Sequence, residues 1–480
     1  MTIDRREFLK RAGVIGGAAA AVTALPGCRR LFPPGFNPGR SVLDGLPGDA
    51  PIDHVVVVMM ENRSFDHWLG WLADDWYYLE SGRHRYGRSF SVNGRQHQTF
   101  PGPSGPVATE HLLEAADETS PYQGCGHNDP GHGWDQGRAE RDGGFLAPAS
   151  GNDDYALGYY LGNDLPFTSQ LARHSTIFDD YHAALLGPTW PNREYLHSAQ
   201  SGGLKSNILP PTGPFDWTTI WDRLGAANVP AKYYFSDLPF LGLWGPRLSP
   251  FEAPVADYFT DCANGTLPNV TMVDPSFFGD TENDDHPLAD IRGGQHFLHD
   301  VFSAFVNSPH WEHGVFIITY DEWGGFFDHV APPIVPDDRA STVDEDNFGQ
   351  AGFRVPVVMA SPYALPGFVD HRQYDHTSIL RFIEWRFLGA PPEGPGKDGD
   401  SWFLTTRDRN TANIGASLRQ RQTQRDLGFD LAGITIGQPN PPCGSSAAVA
   451  AMHVHPTDER EFQTLAASGY FERVGVRVSA

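Results

Sequence analysis

Five residues at three places in the chain are suited to chemistry on a charged oxygen substrate. The apolar run HVVVVMM (54–60) stops at Glu61-Asn62, and the run Val315 to Tyr320 stops at Asp321-Glu322. Carboxylate and carboxamide oxygens delivered from two such ends are what a hard or borderline divalent cation requires. Polar residues also close many strands that hold nothing, so it is the repetition with carboxylates that singles these two out. The third place is LLGPTWPNREYLHSA (185–199), where Thr189 stands at the start of a helix pattern. A hydroxyl there is ordinarily a cap. It is also a position where the helix dipole and free N–H groups favour a phosphate beside a nucleophile.

The elements that must position these groups are legible as short apolar runs. AKYYF (231–235), NVTMVDPSF (269–277), VFIITYDEW (315–323) and VPVVMASPY (355–363) have strand length and β-branched or aromatic content. GGQHFLHDVFSAFVNS (293–308) and HTSILRFIEWRFLG (376–389) have helical apolar spacing, the second with Thr377 or Ser378 as its expected N-cap. Buried strands alternating with amphipathic helices predict an α/β sandwich around a central, largely parallel sheet flanked by helices. In such sheets active groups lie beyond the carboxyl ends of the strands.

Acidic residues outnumber basic ones, 59 to 35, for a net charge of -24. That argues against a nucleic-acid partner and against purely electrostatic binding to anionic membranes. A neutral or zwitterionic lipid substrate stays open.

Residues 1–28 read as an address. DRREFLKRAG with the apolar run behind it resembles a twin-arginine export signal, and Leu25-Pro26-Gly27-Cys28 resembles a lipoprotein cleavage site. The expectations are recognition by the twin-arginine export machinery, a periplasmic, secreted or membrane-anchored destination, and a tether through Cys28 if that residue is lipidated. Residues 29–50 read as a linker, 51–440 as one catalytic domain, and 441–480 as a peripheral segment with a final strand in FERVGVRV. Beside Cys28 stand Cys125, Cys262 and Cys443, which allow one bridge of unspecified pairing.

Taken together, ENRSFDHWLG, LGPTWPNREY, YDEWGGFFDHVAPP, GFRVPVVMASPY and YDHTSILRFIEWRF resemble the bacterial phosphoesterase family of phospholipases C and acid phosphatases. HNDPGHGW (127–134) and DDHPLADI (284–291) are shorter matches to its histidine-bearing segments. The resemblance implies an alkaline-phosphatase-like fold. It implies a divalent metal of unspecified identity held by Glu61, Asn62, Asp321 and Glu322, with Thr189 as nucleophile. It implies that His132 and His286 contact the phosphoryl group or move protons, and it adds His329 and His376 to the site.

The implied activity is phospholipase C-type cleavage of a phosphatidylcholine-like diester. The alternatives are a broad acid phosphatase on the same site and a non-catalytic surface lipoprotein. Arg63 and Arg193 have forks suited to phosphate, but a structural ion pair with a nearby carboxylate is the reading we favour for both. Asp66 and His67 are as suited to bracing the strand-end turn by hydrogen bonds as to touching substrate. Trp134, Trp190 and Trp323 are explained by packing, with an aromatic rim for a choline headgroup as the rival.

Overall fold

In the computed structural model, residues 38–115, 121–209, 213–389, 402–441, 443 and 458–478 are described. The signal-like residues, Cys28 included, lie outside them.

One eight-stranded sheet organises the chain. Its strands are β1 (His54–Met60), β2 (Thr176–Phe178), β3 (Ala231–Phe235), β4 (Glu252–Pro254), β5 (Val270–Val273), β6 (Gly314–Tyr320), β7 (Val358–Ala360) and β8 (Phe368–Asp370), in the order β8-β2-β7-β6-β1-β5-β3-β4. Every neighbouring pair is parallel except those of β7, which runs antiparallel to β6 and β2. The largely parallel α/β sheet is therefore as expected, with one reversed strand. Val55 to Met60 and all of β6 are buried. That suits β-branched residues in central strands covered on both faces.

The helices that bear on the site are α1 (Phe65–Trp68), α2 (Trp134–Gly143), α3 (Thr189–Ser198), α4 (Ile291–Val306) and α5 (Thr377–Ile383), with α6 (Asp458–Ala467) and α7 (Tyr470–Val474) near the C-terminus. α4 begins two residues before its predicted start, because Asp290 accepts from the Arg292 N–H and caps it. The cap of α5 is neither Thr377 nor Ser378. Asp375 accepts from the Thr377 N–H at 2.9 Å, and Thr377 is already helical.

Three expectations fail. The described part of the linker is structured: Ser41 makes a capping box with Asp44, and Val42 is buried in the core. FERVGVRV holds no strand, because Tyr470–Val474 is helical. Its alternating valines are too few to outweigh burial of Tyr470 and Phe471, the first donating to the Leu243 carbonyl at 3.1 Å. Nor is the described part of the C-terminal segment peripheral. Phe462 of α6 is buried, stacks on Phe277 at 4.2 Å and lies 5.6 Å from the Trp190 ring.

Cys125 pairs with Cys443 across 318 residues, and Cys262 is free and buried. Cys125 is thus no metal thiolate. No helix among the described residues is long and apolar enough to cross a membrane.

Candidate active site

Strand register brings the two carboxylate pairs together. Met60 of β1 lies opposite Tyr320 of β6, so Glu61 and Asp321 leave the sheet side by side. Glu61, Asn62, Asp321 and Glu322 are all at most 1% exposed. Asp321 Oδ1 accepts the backbone N–H groups of Asn62 at 3.1 Å and Glu322 at 2.7 Å, tying both strand ends to one carboxylate oxygen. Asn62 turns at φ 61°, a left-handed conformation that asparagine tolerates better than most residues.

Gly324 and Gly325 close this end. Both have positive φ, and a Cβ on Gly324 would lie 2.1 Å from the Asn62 carbonyl. One on Gly325 would lie 2.6 Å from Pro130. Only glycine lets the chain pass between the β1 end and the segment carrying His132.

A third strand contributes a carboxylate that sequence reasoning passed over. Val58 pairs with Val273, so Asp274 emerges beside β1, two residues short of the level of Glu61. It is buried, accepts from Tyr233 Oη and pairs with Arg193 Nη1 at 3.2 Å. The only signal was its place after VTMV, and Pro275 made the run look like an ordinary strand exit.

Thr189 is the first residue of α3 and is fully buried. The cap position is Pro188, and no side chain caps the helix, so capping does not account for the hydroxyl. Four residues on, Arg193 faces the carboxylates. It reaches Glu61 Oε1 from Nη2 at 2.7 Å and Asp321 Oδ2 from Nε at 3.5 Å. Burial opposes its charge, but Asp274, Glu61 and Asp321 outweigh burial and hold the guanidinium firmly protonated. The ion-pair reading of Arg193 is correct, with three partners rather than one.

Arg63 differs from expectation. Its Nε donates to the Asp285 carbonyl at 2.7 Å and its Nη2 to the His286 carbonyl at 3.3 Å, with the guanidinium lying over Phe326. It pins the loop that carries His286. The Glu61 N–H donates to the Asp284 carbonyl at 2.8 Å and ties the same loop to the end of β1.

His286 is buried, with Nε2 3.6 Å from Asp129 Oδ2. Asp129, in HNDPGHGW, is the carboxylate partner of this histidine. His132 is also buried, and its Nδ1 donates to the Pro130 carbonyl at 2.7 Å, so Nε2 is the nitrogen that can exchange a proton.

The other two histidines are held differently. His376 Nε2 donates to the Asp321 carbonyl at 2.6 Å, and Tyr181 Oη lies 3.3 Å from Nδ1. Burial pushes its pKa down to about 4, so it is a neutral brace of the β6 end. His329 donates from Nδ1 to Asp66 at 2.6 Å and lies 3.0 Å from Asn93 through Nε2. Asp66 and Asp328 both pair with buried Arg354. The ligand atoms of Asp66, Asp328 and His329 are close enough to share an ion, and Arg354 Nη2 bridges the two carboxylates at 3.0 Å each. Asp66 is therefore a brace, as is His67, which lies against Arg63 Nη1 and the Gly158 carbonyl.

All three tryptophans are buried. Trp134 is covered by Arg138 at 4.0 Å, Trp190 packs on Phe462, and Trp323 donates to Glu140. Packing is the explanation for each, and none forms a headgroup rim.

The donors at the ends of β1 and β6 are all oxygen, three carboxylates and one carboxamide, with Arg193 as the contacting cation. That set suits calcium, magnesium or manganese and lacks the thiolate a soft metal would select.

The model of the Phosphoesterase family matches residues 52–388. Non-specific phospholipase C6 of Arabidopsis thaliana is 29% identical over 412 residues, covering 78% of this chain and 74% of that protein. Phospholipase C B of Mycobacterium tuberculosis is 29% identical over 457 residues, covering 81% of this chain and 82% of that one. Non-hemolytic phospholipase C of Pseudomonas aeruginosa is 28% identical, but only 60% of its length is matched. Among solved structures, a Vibrio parahaemolyticus protein of the alkaline phosphatase superfamily superposes with a TM-score of 0.34 at 10% identity over 80% of this chain and 92% of that one, a likeness too slight to argue from. The family match spans every strand of the sheet and every segment of the site, and the chain belongs to the Phosphoesterase family of phosphoric ester hydrolases.

Proposed function

We propose that this chain is a phospholipase C-type hydrolase that cleaves the phosphodiester of a phosphatidylcholine-like glycerophospholipid through Thr189. The observation that carries the reading is the tie between α3 and the β1 and β6 ends, where Arg193 contacts Glu61 and Asp321 one turn beyond Thr189. The names of the aligned relatives supply the substrate class.

Glu61, Asn62, Asp321 and Glu322 would hold a divalent cation. When bound, such an ion lowers the pKa of a nearby hydroxyl and offsets charge on a phosphoryl oxygen. The remaining steps belong to this chain. Thr189 Oγ1 gives its proton to the His286–Asp129 pair and attacks phosphorus as the diacylglycerol oxygen departs, leaving the phosphocholine group esterified to threonine. His132 protonates the leaving oxygen from Nε2 and, now neutral, takes the proton of the water that enters on the same side, while the His286–Asp129 pair, on the opposite side of the phosphoryl group, returns a proton to Thr189 Oγ1 as it is released. Arg193 fixes Glu61 and Asp321 and does not touch substrate.

The N-terminal signal and the Cys125–Cys443 bridge support an exported protein, since such bridges persist in oxidising compartments. Lipidation of Cys28 would decide between a tethered and a released form.

The test is a paired assay on purified mature protein, using phosphatidylcholine and an aryl phosphomonoester, with chelator and metal repletion. Metal-dependent release of diacylglycerol, lost in Thr189→Ala, is expected. Turnover of the monoester alone would move the assignment to a phosphatase on the same site. Loss of both activities with metal bound would leave the non-catalytic lipoprotein.

A further inference from the structure

Arg138 is buried on α2, outside the residues named above as ligands or catalysts, and its donors end on backbone carbonyls. Nη1 donates to the Leu186 carbonyl at 3.1 Å and to the Trp134 carbonyl at 2.9 Å. Nε and Nη2 each donate to the Asp344 carbonyl at 3.1 Å, and Nη2 also reaches the Asn347 carbonyl at 3.4 Å. The Asp344 carboxylate lies 3.6 Å from Nε. A guanidinium has five N–H groups, and these contacts occupy them, so none is left for a phosphate. Leu186 stands three residues before Thr189, and Trp134 two after His132. One nitrogen therefore holds the loop that leads into the Thr189 helix against the helix that follows His132.

Packing sets the same spacing. Gly187 lies against the Trp134 ring, where a Cβ would come within 3.3 Å of the indole, and a Cβ on Gly137 would come within 3.0 Å of Leu186. Arg138 itself covers the Trp134 ring at 4.0 Å. The loop before Thr189 has other holds as well. Asn192 Nδ2 donates to the Gly187 carbonyl at 2.7 Å and its Oδ1 accepts from the Leu185 N–H at 2.8 Å. Arg407 donates to the Ala184 carbonyl at 2.7 Å. Removing Arg138 therefore shifts the His132 side and leaves Thr189 seated.

We propose that Arg138 is a positioning residue of this site. It sets the distance from Thr189 Oγ1 to His132 Nε2, and with it the delivery of a proton to the departing oxygen. The inference rests on the proton-donor role given to His132 above. An acid catalyst has to meet its acceptor within hydrogen-bond reach, and a misplacement of about 1 Å costs on the order of 100-fold. A lysine at 138 would keep the charge but not the planar fork that spans three segments.

The experiment compares wild type, Arg138→Lys, Arg138→Ala, Gly187→Ala and His132→Asn, each metal-loaded, on two phosphocholine diesters. Short-chain phosphatidylcholine has an alkoxide leaving group that needs a proton, whereas p-nitrophenyl phosphocholine has a phenolate that departs without one. kcat/KM is the quantity read, because it reports the first displacement alone. The Arg138 variants are expected to lose about 10- to 100-fold on phosphatidylcholine and to stay within about threefold of wild type on the aryl diester. A general loss of structure would lower both equally. His132→Asn should show the same selectivity more strongly. Gly187→Ala, which presses on Trp134 without removing a hydrogen bond, should give selectivity of the same sense and serves if neither arginine variant folds. Equal losses on both substrates, or none, in the folded variants at 138 and 187 would overturn the proposal while His132→Asn stays selective. If His132→Asn is itself unselective, the underlying reading of His132 fails, and this proposal with it. If wild type cleaves neither diester, the proposed function fails instead.

Discussion

Arg193 reaches Glu61 Oε1 with two nitrogens, Nε at 2.9 Å and Nη2 at 2.7 Å, so the helix that begins at Thr189 is clamped to the end of the first strand. The contact is made with both residues buried, where truncating one partner strands the other. It turns a helix start and a strand end, 128 residues apart in the chain (61 to 189), into one rigid unit.

Arg193→Lys should therefore fail despite keeping the charge. A lysine cannot hold Glu61, Asp274 and Asp321 together, because it lacks the planar fork. We expect a stability loss of about 3–5 kcal/mol, the range for breaking a buried pair. Metal affinity by calorimetry should weaken in parallel. Unchanged melting and unchanged affinity would show that the clamp is incidental.

Thr189→Ala should abolish turnover, by roughly a thousandfold or more as for other lost nucleophiles, while metal affinity stays near wild type and the protein remains folded. Thr189→Ser should retain measurable activity because it keeps the attacking oxygen. A strongly active alanine variant would move the nucleophile elsewhere.

Glu194 is fully buried next to Arg193, and burial raises its pKa well above the usual carboxylate range. A folded pKa above the unfolded value means that its contribution to stability is complete below about pH 4.3, the unfolded value. It is lost as pH rises toward the folded value, at about 1.4 kcal/mol per pH unit. Glu194→Gln should remove that slope, leaving the variant more stable than wild type at pH 8 and no more stable at pH 4. Denaturant titrations at the two pH values check it, and parallel curves would contradict it.

His376→Asn should lower kcat by displacing Asp321 but leave the limbs of the pH–rate profile where they are. With a pKa of about 4, His376 is already neutral across the working range. A shifted limb would mean that it exchanges protons during turnover.

Cys443→Ser should cost about 2–5 kcal/mol, the usual loss for a native bridge, because the bond joins segments 318 residues apart. Thiol labelling of the native wild type should find Cys262 unreactive, since it is buried and burial pushes its thiol up to about 12. Ready labelling of Cys262 in the folded protein would contradict the packing around it.

The sequence by itself determined the strand ends and the chemistry they carry. Valine runs have to be buried and extended, and carboxylates placed after them have to stand at the sheet's edge, so Glu61, Asn62, Asp321 and Glu322 were legible with their neighbours. The Thr189 helix start was legible for the same reason, from a Gly-Pro turn before an α pattern. Tertiary structure decided what no local pattern encodes. Strand register set Glu61 beside Asp321 and brought in Asp274 from a third strand. Burial decided the histidines: His376 became a neutral brace, while His329 went to the Asp66–Arg354 cluster and His286 found Asp129. It also decided FERVGVRV, where packing of Tyr470 and Phe471 against the core overrode a β-like alternation. The reason is common to all of these. Periodicity reports which side of an element is buried, whereas partners, and with them protonation, depend on which elements meet.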